Sequence, residues 1–371
     1  MLPEYEVADI LNRNYDQLEY CTANRWKLNT LRAIASCRTS ALGYHVDLCT
    51  NPDCNHTHIS YNSCRNRHCP KCQGHKREEW IQAREAELLN VPYYHTVFTL
   101  PEDMNMLCQV HTKSLYDALF KISWSVVKDF AANPAFMGAK AGMIAILHTW
   151  GQNLSLHPHI HCIVPGGGLS ASGKWKQANG SDKFLFPVKS LSRVFRARFV
   201  EFLRAEFSLG DQFYKALFAK EWVVYCKRPF YGPQQVIEYL GRYTHKIAIS
   251  NHRIKSVDDG SVSFTAKDYR QGGKKNIIKL SDKEFIRRFS LHILPRGFTR
   301  IRHYGILGSA VKNVILPLLK EETGYLVLPA RDNIMHKICP CCKKGKLITI
   351  AIVYPRGPPV FLHPDAAALT V

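Results

Sequence analysis

The chain has 371 residues and a mass of 42.4 kDa, and its 46% hydrophobic and 22% charged residues provide apolar mass for two or three domains and exclude disorder over most of its length. No apolar run reaches the about 18 residues of a membrane span, and the opening MLPEYEVADI is acidic rather than basic and then apolar, so the expectation is a soluble, cytoplasmic protein. Lys+Arg 50 against Asp+Glu 30 leaves a formal charge of +20, which points to a polyanionic partner, most simply nucleic acid.

The first forty residues carry helical spacing, with Leu28, Leu31, Ile34 and Ala35 on one face. They lead into a cysteine cluster. In a reducing compartment the thirteen cysteines read as thiols rather than disulfides. Five of them, Cys49, Cys54, Cys64, Cys69 and Cys72, lie among His56, His58, His68 and His75. Cys49-x4-Cys54 followed by Cys69-Pro-Lys-Cys72 supplies two thiolate pairs separated by a loop, which suits four sulfurs closing a tetrahedron around zinc. Cys64 and His68 are surplus to one such site; they either replace a member of the quartet or begin a second site with His56 or His58. Cys21, Cys37, Cys108, Cys162 and Cys226 sit in apolar patterns and read as small buried hydrophobes. Residues 64–77, CRNRHCPKCQGHKR, hold five Lys or Arg and no acid. That makes Arg65, Arg67 and Lys71 candidates to face phosphates, with a solvated basic face as the alternative.

A helix over HKREEWIQAREAELLN ends at Val91-Pro92, which places a boundary near residue 90. Strands are expected at YYHTVFTL, AGMIAILHTW and LHPHIHCIVPGG, with a helical stretch near 105–131. His157, His159 and His161 recur every second residue and share one face of a strand. The His-Ile-His unit is spaced to grip a divalent ion, with Ile160 turned to the core. A turn at GQNLS folds the two runs into a hairpin that brings His148 beside the pair. The competing reading is a hydrogen-bonded histidine ladder on a solvated sheet.

Helical pattern returns at about 189–220 and from Pro233 to about Tyr243, with strands at WVVYCK, SVSFTA and NIIKL. Tyr239 and Tyr243 share a helix face, with Arg242, His245 and Lys246 beside them. Tyrosines so spaced are ordinarily core aromatics, but positive charge around their hydroxyls suits a phosphate. Between Tyr239 and His303 there are fifteen Lys+Arg and five Asp+Glu, half of the net charge. The last fifty or so residues, ending in YPRGPPVFLHPDAAALTV, read as a loosely attached tail, and Cys339, Cys341 and Cys342 as half of a metal site without a clear partner pair.

HTVFTLP (95–101), HPHIHC (157–162) and YLGRYTHKIAIS (239–250), preceded by YNSCRNRHCPKCQG, resemble in order the motifs of the insertion sequence ninety-one family of two-tyrosine transposases, over about residues 20–310. The resemblance implies an α+β fold: an HUH endonuclease core, meaning an antiparallel sheet flanked by helices, preceded by a small helical zinc-binding domain. The corresponding divisions are 1–90, 91–310 and a C-terminal extension over 311–371. It further implies a transposase that nicks and rejoins single-stranded DNA at insertion-sequence ends through a 5′-phosphotyrosine in rolling-circle transposition. Tyr239 and Tyr243 are then the nucleophiles, His159 and His161 ligands of Mg²⁺ or Mn²⁺, and His148, Gln152 or His157 the third ligand, while Zn²⁺ is structural and Arg242 and Lys246 contact DNA. The phosphotyrosine conserves bond energy, so no nucleotide cofactor is expected. The implied partners are single-stranded DNA and the hairpin ends of the protein's own mobile element, with no membrane, in a bacterial cytoplasm and on the nucleoid when bound to DNA. Three other readings compete. A plasmid rolling-circle replication initiator shares the motif order, whereas a relaxase places its tyrosine ahead of the histidines. A non-catalytic zinc-dependent DNA-binding regulator leaves the histidine strand and the paired tyrosines unexplained.

Overall fold

The computed structural model describes residues 3–72, 81, 85, 87–179, 184–226, 235–236, 247–268, 271–325 and 337–362. Three short helices open the chain: α1 (Val7–Arg13), α2 (Leu18–Cys21) and α3 (Arg25–Ala35). Asn24 caps α3 by accepting from the N–H groups of Trp26 and Lys27, and Leu31, Ile34 and Ala35 are buried on the face that the spacing predicts. A hairpin of β1 (Tyr44–Cys49) and β2 (Thr57–Tyr61) follows, then β3 (Tyr93–Thr99) and helices α4 (Asn105–Val110) and α5 (Thr112–Ala132). The long hairpin β4 (Gly142–Trp150) and β5 (Leu156–Pro165) precedes a small one, β6 (Gly167–Leu169) with β7 (Trp175–Gln177). After α6 (Val188–Glu206), α7 (Asp211–Ala219) and β8 (Val224–Cys226) come β9 (Ile254–Asp258), β10 (Ser261–Asp268), β11 (Lys274–Ser281) and α8 (Asp282–Leu291). The last elements are β12 (Ile301–Gly305), α9 (Lys312–Thr323), β13 (Leu347–Val353) and β14 (Val360–Phe361).

The fold is α+β, and the strand pairs of its sheets are antiparallel. The central sheet has the order β12-β4-β5-β3-β8. Its strands β4 and β5 are apolar runs because both faces are covered. On one face Ala145, Leu147, Ile160 and Cys162 pack with Phe120 of α5 and with Phe195 and Phe199 of α6. On the other, Ile144, Ile146 and Ile163 pack with Val236 and with Leu316 and Leu319 of α9. Burying each such side chain contributes about 1.5–3 kcal/mol, so the strand positions are strongly fixed.

The N-terminal helices do not close a core alone. Ile10, Leu11, Leu31 and Ile34 share one cluster with Phe264 of β10 and with Phe285 and Phe289 of α8. Arg13 locks the contact with a two-pronged ion pair to Asp282, at 2.6 and 2.8 Å.

The C-terminal segment is not the loose tail that its Pro-rich end suggests. β13 is an inner strand of the sheet β14-β13-β1-β2, paired with β1 from Tyr44↔Val353 to Cys49↔Leu347. The run LITIAIV is β-branched at most positions, which suits a paired strand. Gly43 is required beside it, since a Cβ there would lie 2.1 Å from the Val353 carbonyl oxygen and the residue holds φ of 73°. Among the described residues no helix is long and apolar enough to cross a membrane.

Candidate active site and metal centres

The expected β4–β5 hairpin forms, and its register sets His148 directly across from His159 and Ile146 across from His161. Alternation puts all three imidazoles on the face that carries Ile144, Ile146 and Ile163. The cluster of apolar residues covers one half of that face, and the histidines occupy the other. His148, His159 and His161 each offer a ring nitrogen, and these atoms lie within 4.8 Å of one another. They line a cleft of about 700 Å³ whose further walls include His157, Gln152, Lys267 and Asn276.

Neighbouring groups orient two of the rings. His159 Nδ1 lies 2.7 Å from the His157 carbonyl, so this nitrogen carries the proton and donates it, leaving Nε2 as a lone-pair donor. His161 Nδ1 lies 2.9 Å from Nε2 of buried His95, and the two rings stack at 5.2 Å. His148 stacks on Trp150 at 4.7 Å, and Trp150 in turn lies under the Arg300 guanidinium at 5.2 Å. Burial holds the Arg300 guanidinium down to about 9. His157 and Gln152 line the same cleft; His157 lies outside the trio, and the Gln152 backbone carbonyl accepts from Arg253.

The turn between the strands is clamped from outside the sheet. His292 lies between the Leu154 carbonyl at 3.1 Å and the Thr149 hydroxyl at 3.2 Å, and Arg288 donates to the Asn153 carbonyl at 3.1 Å. Burial pushes His292 down to about 4, so it is neutral; Nε2–H donates to Leu154 and Nδ1 accepts from Thr149.

The cysteines form two groups rather than the single quartet expected. Cys69 and Cys72 join Cys37 and Cys64, whereas Cys49 and Cys54 join Cys339 and Cys342, with the sulfurs of each group within 4.8 Å. The reason is topological: the β1–β2 hairpin carries Cys49 and Cys54 away from the helices and toward β13, while Cys37 follows α3 directly into the first group. Cys37 is therefore not an apolar filler, and Cys64 is not surplus. In the first group Cys72 Sγ lies 3.5 Å from Cys37 Sγ and 3.6 Å from Cys64 Sγ. A Zn–S distance near 2.3 Å implies tetrahedral sulfur separations of about 3.8 Å, so the donor set fits zinc. Hydrogen bonds accepted from the other three thiols hold Cys72 far below the ordinary thiol range, and hydrogen bonds donated to them hold Cys69 far above it. His56 and His58 belong to neither group, and His68 accepts from the Leu294 N–H at 3.3 Å through Nε2.

The family described as "Transposase zinc-binding domain" matches residues 10–100, and the one described as "Putative transposase" matches residues 142–314. A protein of Sinorhizobium fredii (strain NBRC 101917 / NGR234), "Putative transposase y4qJ", is 42% identical over 94% of this chain and 95% of its own length. The chain belongs to the insertion sequence ninety-one family of transposases. "Transposase for insertion sequence element IS801" of Pseudomonas savastanoi pv. phaseolicola is 28% identical over 80% of this chain and 73% of its own. No solved structure matches the chain.

In this transposase Tyr239, Tyr243, Arg242 and Lys246 lie outside the described residues. Of the three basic residues expected to face phosphates, two are built into the fold. Arg67 donates to the carbonyls of Phe298 and Pro295 at 2.5 and 3.0 Å, and Lys71 pairs with Glu6 and donates to the Cys37 carbonyl at 3.3 Å. Burial lowers the Arg67 guanidinium below its ordinary range. Arg65 is exposed and lines a separate cleft of about 850 Å³ with Arg38, Lys337 and Tyr61. Sequence reasoning missed three residues that the geometry makes important: His95, His292 and Arg300. Only His95 left a signal, as the first residue of HTVFTLP.

Proposed function

We propose that this transposase nicks and rejoins single-stranded DNA at the ends of its own element by HUH chemistry, with a tyrosine as nucleophile, in rolling-circle transposition. The observation that carries the reading is the convergence of His148, His159 and His161 on one wall of an open cleft. Three imidazoles suit Mn²⁺ better than Mg²⁺, and a divalent ion bound there would polarise the scissile phosphate. His157 and His95 would fix the ring orientations of His159 and His161, leaving each Nε2 toward the cleft.

The tyrosine oxygen attacks phosphorus, the P–O3′ bond breaks, and the leaving 3′-oxygen takes up a proton. A free 3′-hydroxyl later attacks the phosphotyrosine and releases the tyrosine, so no nucleotide is consumed. Support for the tyrosines comes from Val236, which is helical and fully buried in the cluster with Ile146, the register partner of His161. Tyr239 and Tyr243 follow it by three and seven residues, the spacing of one helix face. Arg242 and Lys246 would then sit near the reacting phosphate.

The strand of DNA would run from the cleft over β10 and β11, where Lys267, Lys274, Lys275 and Lys279 present positive charge. Hairpin ends are the second expected partner. The first cysteine group would hold structural zinc inside the matched zinc-binding domain.

The test is incubation of single-stranded end DNA with the wild type, Tyr239→Phe, Tyr243→Phe and the double variant, with adducts mapped by mass spectrometry. A 5′-phosphotyrosine on residue 239 or 243 that disappears in the double variant is expected. An adduct formed by the double variant overturns the mechanism, and no adduct with the wild type returns the protein to a DNA-binding role.

A further inference from the structure

We infer that Cys49, Cys54, Cys339 and Cys342 form a second structural zinc site, a clasp that joins the two ends of the chain. It lies partly outside the matched zinc-binding domain, which ends at residue 100. The inference is independent of the cleavage chemistry.

The geometry is that of two facing knuckles. Cys49 and Cys54 flank the turn between β1 and β2, where the Cys49 N–H donates to the His56 carbonyl at 3.0 Å. Cys339 and Cys342 occupy the turn before β13, where the Cys339 N–H donates to the Gly345 carbonyl at 2.8 Å and the Lys343 N–H to the Cys339 carbonyl at 3.0 Å. Across the gap, Cys49 and Cys342 sulfurs are 3.7 Å apart and Cys54 and Cys339 sulfurs 3.8 Å apart. Those separations match the edge of a sulfur tetrahedron around zinc, about 3.8 Å, and are far from the about 2.05 Å of a disulfide. Four thiolates complete the coordination shell, so the site is structural rather than catalytic.

Three further details fit a site built around the sulfurs. The Asn51 N–H points to Cys49 Sγ at 3.4 Å and the Gly345 N–H to Cys342 Sγ at 3.3 Å, as donors to anionic sulfur. Asn55 and Lys343, each directly after a clustered cysteine, hold the left-handed conformation at φ of 45° and 56°, an unfavourable backbone that needs a compensating contact. Arg38 and Arg65 do the same after Cys37 and Cys64 of the first group, so the two groups share one local design. Finally, a Cβ on Gly345 would lie 2.4 Å from Cys49 Sγ, so only glycine fits against the site.

The sheet needs such a staple. Ile350 and Ala351 of β13 are buried, yet neither belongs to any of the three large apolar clusters. Near its centre stands buried Asp47, which accepts from Thr349 at 2.8 Å and Ser60 at 3.2 Å. A small sheet with a polar centre and little apolar core depends on a cross-link.

The full-length protein tests this. Elemental analysis of the purified chain should give two zinc ions per chain, Cys339→Ser/Cys342→Ser should give one, and Cys341→Ser, which alters an exposed cysteine outside both groups, should keep two. The double variant should also release its C-terminal segment early in limited proteolysis, while the five-stranded sheet resists. Should the double variant fail to fold, cobalt titration of the wild type decides: two equivalents with thiolate-to-cobalt charge-transfer absorption support the clasp. A wild type that holds one metal, or a Cys339→Ser/Cys342→Ser variant that holds as much zinc as the wild type, overturns it.

Discussion

His95 offers the sharpest test of the proposed active site, because it touches the histidine trio without being part of it. If His161 binds a divalent ion through Nε2, its proton resides on Nδ1 and is donated to His95 Nε2, 2.9 Å away in a buried setting. His95→Leu removes that acceptor while keeping apolar bulk. Losing an outer partner of a metal-ligating histidine typically costs tenfold to hundredfold in metal affinity, or about 1.4–2.8 kcal/mol. The buried Nδ1–H also loses its bond to His95, at about 1–3 kcal/mol, and this second cost falls on the fold whether or not metal is present. The two costs separate by experiment. The Mn²⁺ concentration for half-maximal cleavage of single-stranded end DNA should rise about tenfold to hundredfold, with the rate at saturating Mn²⁺ largely retained. Thermal melting in chelator reports the fold alone. His95→Gln, which keeps an acceptor oxygen, should recover part of the metal affinity. A folded His95→Leu protein with unchanged Mn²⁺ dependence would refute the argument.

Two further outcomes follow from groups the fold has displaced from their ordinary behaviour. His292 is held down to about 4 from 6.5 by burial, so the unfolded chain binds its proton first as pH falls. Its stabilising share is complete above about pH 6.5, shrinks as pH drops toward 4 and totals about 3 kcal/mol. Urea unfolding at pH 7 and pH 5 should therefore show a larger loss for the wild type than for His292→Gln; equal losses would remove this account. Arg65 and Arg67 should part company: Arg65→Ala should weaken DNA binding and reduce the salt slope by about 1, whereas Arg67→Ala should lower stability by about 1.5–3 kcal/mol per charged hydrogen bond lost and leave the slope alone. Salt titrations of affinity paired with denaturation curves would check both.

The β4–β5 hairpin and its histidines were legible because strand alternation is local: His148, His159 and His161 meet through a five-residue turn. The thiol groups were not, because pairing Cys54 with Cys339 depends on a contact 285 residues apart in sequence, and spacing rules see only neighbours. Within 49–72 the Cys-x4-Cys and Cys-x2-Cys pairs each had the right internal spacing, yet they close with different partners, Cys49 and Cys54 with the distant Cys339 and Cys342, Cys69 and Cys72 with Cys37 and Cys64. Cys37 was hidden by its apolar company at the end of α3. β13 was overshadowed by the prolines after it, although LITIAIV has the β-branched composition of a strand. Arg67 and Lys71 illustrate a general limit. A basic run shows how much charge is present, but burial decides whether that charge faces a phosphate or a backbone carbonyl.

The first thiolate group reaches the histidines through packing. Between Cys64 and Cys69 stand Arg67 and His68, which bind the carbonyls of Pro295 and Phe298 and the Leu294 N–H. Trp26 adds a bond to the Leu294 carbonyl at 3.0 Å. That segment follows α8 and His292, whose ring holds Leu154 in the β4–β5 turn, and Cys69, Cys72, Leu154 and Phe289 share one apolar cluster. Removing zinc from this group should therefore loosen the turn. Loss of two of these hydrogen bonds corresponds to about 1–3 kcal/mol, so local opening should become about tenfold to hundredfold more frequent. Hydrogen exchange reads it at Gly151 and Leu154, whose N–H groups donate to Ser155 at 2.9 Å and Gly151 at 3.2 Å. Cys69→Ser should speed exchange there and raise the Mn²⁺ requirement for cleavage. Cys339→Ser/Cys342→Ser should change neither, because the second group pins β13 to β1 in a different sheet. If Cys69→Ser loses a zinc ion while the turn keeps its protection, the two sites are uncoupled and the path through residues 294–298 is wrong.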